Sequence, residues 1–284
     1  MKINLHCLRL RPWFSRLGLA LPALTGLLLL TTSCSAPITP SVAGAGQAPA
    51  RLRVSAPVAA RVAATVSSPG HVAAYDTLVR RRYAALGAQQ QGLRFSVFEQ
   101  ALTGYLNLRR QGQAPAAPPR LAVIDFDLPS TEKRLWVLDL AANKVLFRTL
   151  VAHGNQTGQR EATRFSNTPD SHMSSLGFYV TGSTYVGKHG RSLRLQGLDE
   201  GFNSNAAARA IVVHGADYVS EAVIKQTGRL GRSQGCPALP LDQYLPIIDS
   251  LQGGAALFIN KSDAGYASPY LDEQAASAAL GGLS

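Results

Sequence analysis

Two side chains of this sequence can do chemistry together: His214 and Cys236. His214 closes an apolar run, Arg209-Ala-Ile-Val-Val213, that reads as a buried strand. Cys236 follows Ser233-Gln-Gly235, twenty-two positions after His214, and is the only cysteine beyond residue 34. A cysteine that attacks a carbonyl needs a base for its proton, a group that orients the base, and donors for the oxyanion. His214 supplies the base. An imidazolium beside Cys236 is expected to lower its thiol from a free value of about 8.5. Gly235 lets the backbone approach closely, so the amides of Gly235 and Cys236 are expected to face the oxyanion. Ser233 can brace the loop through its hydroxyl, and Pro237 stiffens the exit. No Asp or Glu stands where it would orient His214, which leaves a backbone carbonyl or a serine. The competing reading of Cys236 is an inert buried thiol.

These residues need a frame. The chain has 284 residues, 46% of them hydrophobic, enough to bury a real core. From residue 120 the sequence is rich in strands. Leu121–Phe126, Leu135–Leu140, Lys144–Val151, Gly177–Thr181, Ser192–Leu195, Ala210–His214 and Ala255–Asn260 are apolar, β-prone runs, with Ala141-Ala-Asn143 as a hairpin turn. Short helices are expected at about Val219–Thr227 and Leu241–Leu251, the second ended by Gly253-Gly254. Many strands with few helices predict a mainly β sandwich or barrel.

Residues 71–112 read as a small helical segment packing on that domain. Tyr75, Leu78, Val79, Tyr83 and Leu86 fall at three-to-four spacing before Gly87. A second helix is expected to start at Ser96, with Ser96 and Glu99 as a capping box. A Pro-rich linker, 113–120, separates the segment from a catalytic domain at 121–260, and an Ala- and Ser-rich tail, 261–284, covers an edge or frays.

The N-terminus reads as an export signal over 1–33: basic residues, then an apolar run from Leu17 to Leu30 too short for an ordinary membrane span. Thr31-Thr-Ser-Cys34 resembles a lipoprotein signal, in which Cys34 becomes the lipidated first residue and anchors the chain in a membrane. Ordinary cleavage nearby is the alternative. Residues 34–70 read as a flexible tether. An exported protein of the periplasm or cell envelope meets oxidising conditions, and Cys236 then has no partner for an internal disulfide. The formal net charge is +11, and the chain stays basic without the signal's four cations. That suits an acidic polymer or anionic lipid. Nucleic acid is the weakest partner, because no zinc-finger spacing or RNP-like aromatic motif accompanies the charge. No short spacing among His153, His189 and Cys236 supports a metal site.

The arrangement His214-Gly215 … Ser233-x-Gly235-Cys236 resembles the catalytic domain of the murein L,D-transpeptidase (YkuD-like) family. Val151-Ala-His-Gly154, Phe165-Ser-Asn167, Ser174-Ser-Leu-Gly-Phe-Tyr179 and Gly187-Lys-His-Gly190 extend the likeness over roughly residues 121–260. The resemblance implies a YkuD-like β-sandwich or barrel whose partner is the peptidoglycan stem peptide, with no cofactor. It assigns catalysis to Cys236, His214, Gly235, Ser233 and Gly215. Cys236 would attack the carbonyl between the third stem residue and a terminal D-alanine, leaving a thioester. An amine of a second stem then gives a 3→3 crosslink, and water gives L,D-carboxypeptidase activity. His214 would act as base and then as acid. Many members carry Ile-Arg after the cysteine, where Pro237-Ala238 stands here. Carboxylate recognition then falls to Arg232, Lys188 or Arg229, each also readable as a solvated charge; Arg232 is favoured because it lies in the catalytic loop, with His189 lining the cleft and His153 structural. Sortases space the pair more widely, and papain-like endopeptidases reverse its order. An inactive wall-binding lipoprotein of the same fold is the reading from another class.

Overall fold

The computed structural model describes residues 69–115, 118–262 and 265–278. The expected signal 1–33, Cys34 and nearly all of the tether lie outside the described residues.

Two helices come first, α1 (Pro69–Ala85) and α2 (Phe95–Arg110). Tyr75 and Val79 of α1 are buried, and Gly87 takes the left-handed backbone (φ +58°) that ends the turn after it. The capping box at Ser96 does not form: the N-cap is Arg94, and no side chain caps the helix. Tertiary contacts fix the start instead. Arg94 forks onto Asp125 at 2.8 Å and reaches Asp127, and the Phe95 ring stands edge-on to Tyr83 at 5.3 Å. Ser96 is thereby drawn into the first turn.

The strands are β1 (Arg120–Asp125), β2 (Leu135–Asp139), β3 (Lys144–Thr149), β4 (Gly177–Gly187), β5 (Gly190–Gly197), β6 (Val212–Ala216), β7 (Ala238–Pro240) and β8 (Ala256–Asn260). Asn143 adopts the positive φ that the β2–β3 hairpin needs. They form one ordered sheet, β3-β2-β1-β8-β4-β5-β6-β7, parallel at β1–β8 and β6–β7 and antiparallel elsewhere. The chain after β3 bends across to the far end of that order. Ala152 bridges Ala238, and Gly154 bridges Ser233, so the sheet nearly closes on itself.

Four strands depart most from the sequence reading. β4 and β5 are longer than expected, because a register shift between Thr181 and Thr184 lets pairing continue past Gly182 and Ser183. β6 starts two residues later than expected, since Ala210 sits in a turn with φ +54°. β7 was not anticipated: three residues ending in proline carry little strand signal, and proline is tolerated there only because β7 ends the sheet order.

The pleat sorts side chains to two cores. Leu121 and Val123 face the helices, together with Trp136, Leu138, Phe178 and Phe258. Ala122 and Ile124 face the interior with Val137, Tyr179, Leu193, Val213 and Leu257. A Cβ at Gly104 would overlap the Phe178 ring, so glycine there lets α2 lie directly on the sheet. Each fully buried Leu, Val or Phe contributes about 1.5–3 kcal/mol relative to exposure. The short helices α3 (Glu221–Thr227) and α4 (Tyr244–Leu251) follow β6 and β7, and α4 closes the inner core with Ile247, Ile248 and Leu251. The described tail docks rather than frays: Asn107 Nδ2 donates to the carbonyls of Tyr270 and Asp272 at 2.8 Å, and α5 (Glu273–Ser277) packs by α1 and α2.

Candidate active site

His214 lies in the middle of β6, and Cys236 on the loop that enters β7. Both line one cleft of about 630 Å3, with Lys188, His189, Arg209, Tyr218, Arg232 and Ser233. Cys236 is the free cysteine of the described residues.

The base is set by its own strand. His214 Nδ1 lies 3.0 Å from the Gly215 carbonyl. A carbonyl only accepts, so Nδ1 carries the proton and Nε2 keeps its lone pair. The orienting group is thus a backbone carbonyl. Gly215 contributes that oxygen and something more: a Cβ there would stand 2.7 Å from the Tyr244 ring of α4. Burial pushes His214 below the ordinary imidazole value. The Gly215 bond opposes this, and the charges of His189 and Lys188 reinforce it. His189 also stacks on His214, ring centres 4.3 Å apart.

The thiol departs from the expected ion pair. Cys236 Sγ accepts from the Val212 amide at 3.4 Å and faces the Ala210 carbonyl at 3.8 Å. No hydrogen bond joins it to His214 among the described residues. Burial pushes the thiol up. The Val212 amide, Arg209 and Lys188 pull it down by less. With the imidazole lowered and the thiol raised, the resting pair is neutral.

The loop is braced from inside. Ser233 Oγ donates to the Cys236 carbonyl at 2.6 Å and accepts from the Gly235 amide at 3.1 Å. That corrects the expectation for Gly235: its N–H is used within the loop and does not face the cleft. The Cys236 amide has no protein acceptor among the described residues. Gly235 (φ +116°) lies against Met173 and Gly154, where a Cβ on Gly154 would stand 2.9 Å from the Gly235 Cα. Ser174 Oγ joins the two by accepting from the Gly154 amide at 3.0 Å and donating to the Gly235 carbonyl at 3.1 Å.

His153 lies behind this loop, wholly buried, and its carbonyl accepts from the Ser233 amide at 3.0 Å. Its Nδ1 accepts from Arg134 Nη2 at 2.8 Å. Arg134 is itself buried, with its remaining donors on the Val151 and Leu128 carbonyls and its guanidinium 4.7 Å from the Phe126 ring centre. Burial, and then the Arg134 charge, lower His153 to about 3. The unfolded chain therefore binds a proton at His153 that the native chain refuses. The stability this carries is complete above about pH 6.5 and is lost as pH falls from there towards 3, on the order of a few kcal/mol. Thermal unfolding at pH 7 and pH 4.5 should show this loss, with a shallower pH slope in His153→Gln. Equal slopes would remove His153 from the account.

Of the proposed substrate contacts, Lys188 and His189 sit on the turn between β4 and β5, at the cleft. Lys188 has no ion pair among the described residues. Arg232 also lines the cleft, but its Nη1 donates to the carbonyls of Asn155 and Gly158 and ties two loops together. Arg229 Nη1 donates to the Leu230 carbonyl and does not line the cleft. Sequence reasoning passed over Arg209 and Tyr218 and finds no signal in His172, which sits in a polar Ser-rich loop; all three line the cleft. Arg209 was visible only as a charge opening an apolar run. Tyr218 carried no signal, although a Cβ on Gly231 would strike its ring. Among the described residues no three His, Cys, Asp or Glu side chains gather as metal ligands would.

Comparison with known proteins bears on this geometry. No curated protein matches the chain. Among solved structures, an L,D-transpeptidase from Mycobacterium smegmatis is 14% identical with a TM-score of 0.32, covering 50% of this chain and 58% of that one. L,D-transpeptidase 3 from Mycobacterium tuberculosis is 11% identical with a TM-score of 0.33, covering 51% and 62%. The helical cell shape determining protein Pgp2 (K307A mutant) from Campylobacter jejuni is 14% identical with a TM-score of 0.36, covering 62% and 61%. The chain thus spans less than two thirds of each of these. The family model of the L,D-transpeptidase catalytic domain, YkuD_2, matches residues 89–260, which takes in α2, all eight strands and the whole cleft. Mainly β, with a nearly closed eight-stranded sheet and a helical segment before it, the chain belongs to the L,D-transpeptidase catalytic domain family.

Proposed function

We propose that this chain is a cysteine-dependent L,D-transpeptidase that forms 3→3 crosslinks between peptidoglycan stem peptides, with Cys236 as nucleophile and His214 as base. The observation that carries the reading is the fixed tautomer of His214, which leaves an unprotonated Nε2 in the same cleft as the free Cys236. Because the resting pair is neutral, the thiol proton passes to Nε2 as sulfur bonds to the carbonyl carbon of the third stem residue. The Cys236 amide is the loop donor left to meet the oxyanion. As the tetrahedral centre collapses, the bond to D-alanine breaks and its amine leaves with the proton from His214. The acceptor amine then loses a proton to Nε2 as it attacks the thioester, the carbon–sulfur bond breaks, and His214 passes that proton to the departing Cys236 sulfur.

Lys188 is the proposed contact for the substrate carboxylate, standing at the cleft with no ion pair among the described residues and with His189 beside it. Arg232 shapes the wall. In this reading residues 1–33 export the domain to the cell envelope, and Cys34 carries its lipid anchor. The basic balance of the chain suits an acidic wall polymer.

The test is incubation of the protein with disaccharide-tetrapeptide muropeptides, followed by mass spectrometry. Crosslinked dimers with loss of one D-alanine support the transpeptidase. Tripeptides alone make it an L,D-carboxypeptidase. Neither product, together with no covalent adduct of a carbapenem on Cys236, points to the inactive wall-binding fold and ends the enzyme reading.

A further inference from the structure

Arg209 lies in the turn that leads into β6, and its guanidinium is half-buried against the Cys236 loop. Its Nη2 lies 3.3 Å from where a Cβ on Gly235 would be. Four acceptors hold it. Nη1 donates to the Ser166 carbonyl at 2.7 Å and to Ser175 Oγ at 2.6 Å. Nη2 donates to the Met173 carbonyl at 2.6 Å and to Ser171 Oγ at 3.2 Å. All four are neutral, and no carboxylate pairs with Arg209 among the described residues. A half-buried cation without an anion is costly unless an anion forms beside it.

Asp170 already lines this cleft without pairing with Arg209, and two further anions can form in it, a substrate carboxylate and the Cys236 thiolate. The geometry separates them. A carboxylate is gripped by a free fork of two N–H groups. Both Nη hydrogens on each side of Arg209 are already spent on the 166–175 loop, which leaves Nε alone. Arg209 cannot present a fork. It can act through its field, and a fixed guanidinium acts without reorganising when charge appears on sulfur. We propose that Arg209 is a positioning residue of the reaction, whose rigidly held charge lowers the cost of forming the Cys236 thiolate.

The other groups around Cys236 do not duplicate it. Lys188 and His189 come from the β4–β5 turn, His214 from β6 itself, Tyr218 from the segment after β6, and Asp170 and His172 from the loop that Arg209 anchors. Arg232 is on the cysteine's own loop with two bonds elsewhere. Tyr218 is pushed up to about 12 by burial and stays neutral. Asp170 lines the cleft but is not among the groups that shift the thiol. Arg209 and Lys188 are the two cations that draw the thiol down, Arg209 the more strongly.

This rests on reading Cys236 as the nucleophile, but its test does not use the crosslinking reaction. In the full chain, iodoacetamide alkylation of Cys236 is followed against pH by mass spectrometry of the peptide that contains it. Arg209→Gln, which loses the charge, should raise the midpoint by about one pH unit. Arg209→Lys, which keeps the charge and gives up the fork, should stay within about 0.3 unit of the wild type. Ser171→Ala, which removes one acceptor and no charge, should not move it. An unshifted Arg209→Gln overturns the proposal. So does an Arg209→Lys midpoint raised as far as expected for glutamine, whether or not the glutamine variant folds, because the hydrogen bonds and not the charge would then be responsible. Failure of the crosslinking reading would show as inactive wild-type protein with these midpoints unchanged.

Discussion

Cys236→Ala releases no D-alanine from muropeptides and takes up no carbapenem, while its thermal midpoint stays close to that of the wild type. The covalent route disappears with the sulfur, so the expected loss is at least about 10³-fold. Folding barely registers the change. Sγ makes two weak contacts, with Val212 and Ala210, and the loop is braced by Ser233 rather than by the thiol. Removing one partly exposed sulfur costs about 1 kcal/mol or less. The pairing of lost chemistry with kept stability is the signature to look for. Retention of full activity in Cys236→Ala would transfer the nucleophile elsewhere and end the mechanism described above.

His214→Gln is expected to lower kcat/KM by about 10²–10⁴-fold. Glutamine can still donate to a carbonyl, but its side chain cannot take the thiol proton. The pH dependence sharpens this. In the wild type, kcat/KM falls on the acid side as His214 becomes protonated. Burial, His189 and Lys188 all disfavour the charged imidazole, so that fall comes below the ordinary value of 6.5. In His214→Gln the acid limb should vanish along with most of the rate. An acid limb centred above 6.5, or one that survives in the variant, would contradict the neutral resting pair.

The order and spacing of His214 and Cys236 were legible in the sequence because each carries rare chemistry on a short apolar or glycine-bearing stretch. The strands were legible for the same reason that the sheet has two cores: Leu121, Ala122, Val123 and Ile124 are all apolar, and the pleat divides them. What stayed hidden was set by contacts between distant segments. Nothing local to Arg209 tells that its fork will close on Ser166, Ser171, Met173 and Ser175. Nothing local to Ser96 tells that Arg94 will be pulled to Asp125 and start the helix early. The charge state of the pair was read the wrong way for a related reason. Proximity of a histidine to a cysteine suggests an ion pair, but burial disfavours both charges and decides the balance. β7 was lost because three residues ending in proline hold no pattern of their own and become a strand only beside β6.

The near-closure of the sheet has a bearing on when the protein acquires its reactivity. Ala152 and Ala238, and Gly154 and Ser233, are separated by about eighty positions or more along the chain. Contacts between such remote segments carry a large loop-closure cost and form after local hairpins such as β2–β3 and β4–β5. The Cys236 loop hangs on that seam, through Ser233 and Gly154, rather than on either hairpin. A chain that has built its helices and hairpins but has not joined its ends holds a cysteine with no arranged surroundings. The same seam is backed by a small apolar cluster that includes Leu150, Ala152, Leu230 and Ala238, and by the bonds of Ser174 and Arg232. Reactivity is therefore a property of the finished molecule, gained only when remote segments have been joined.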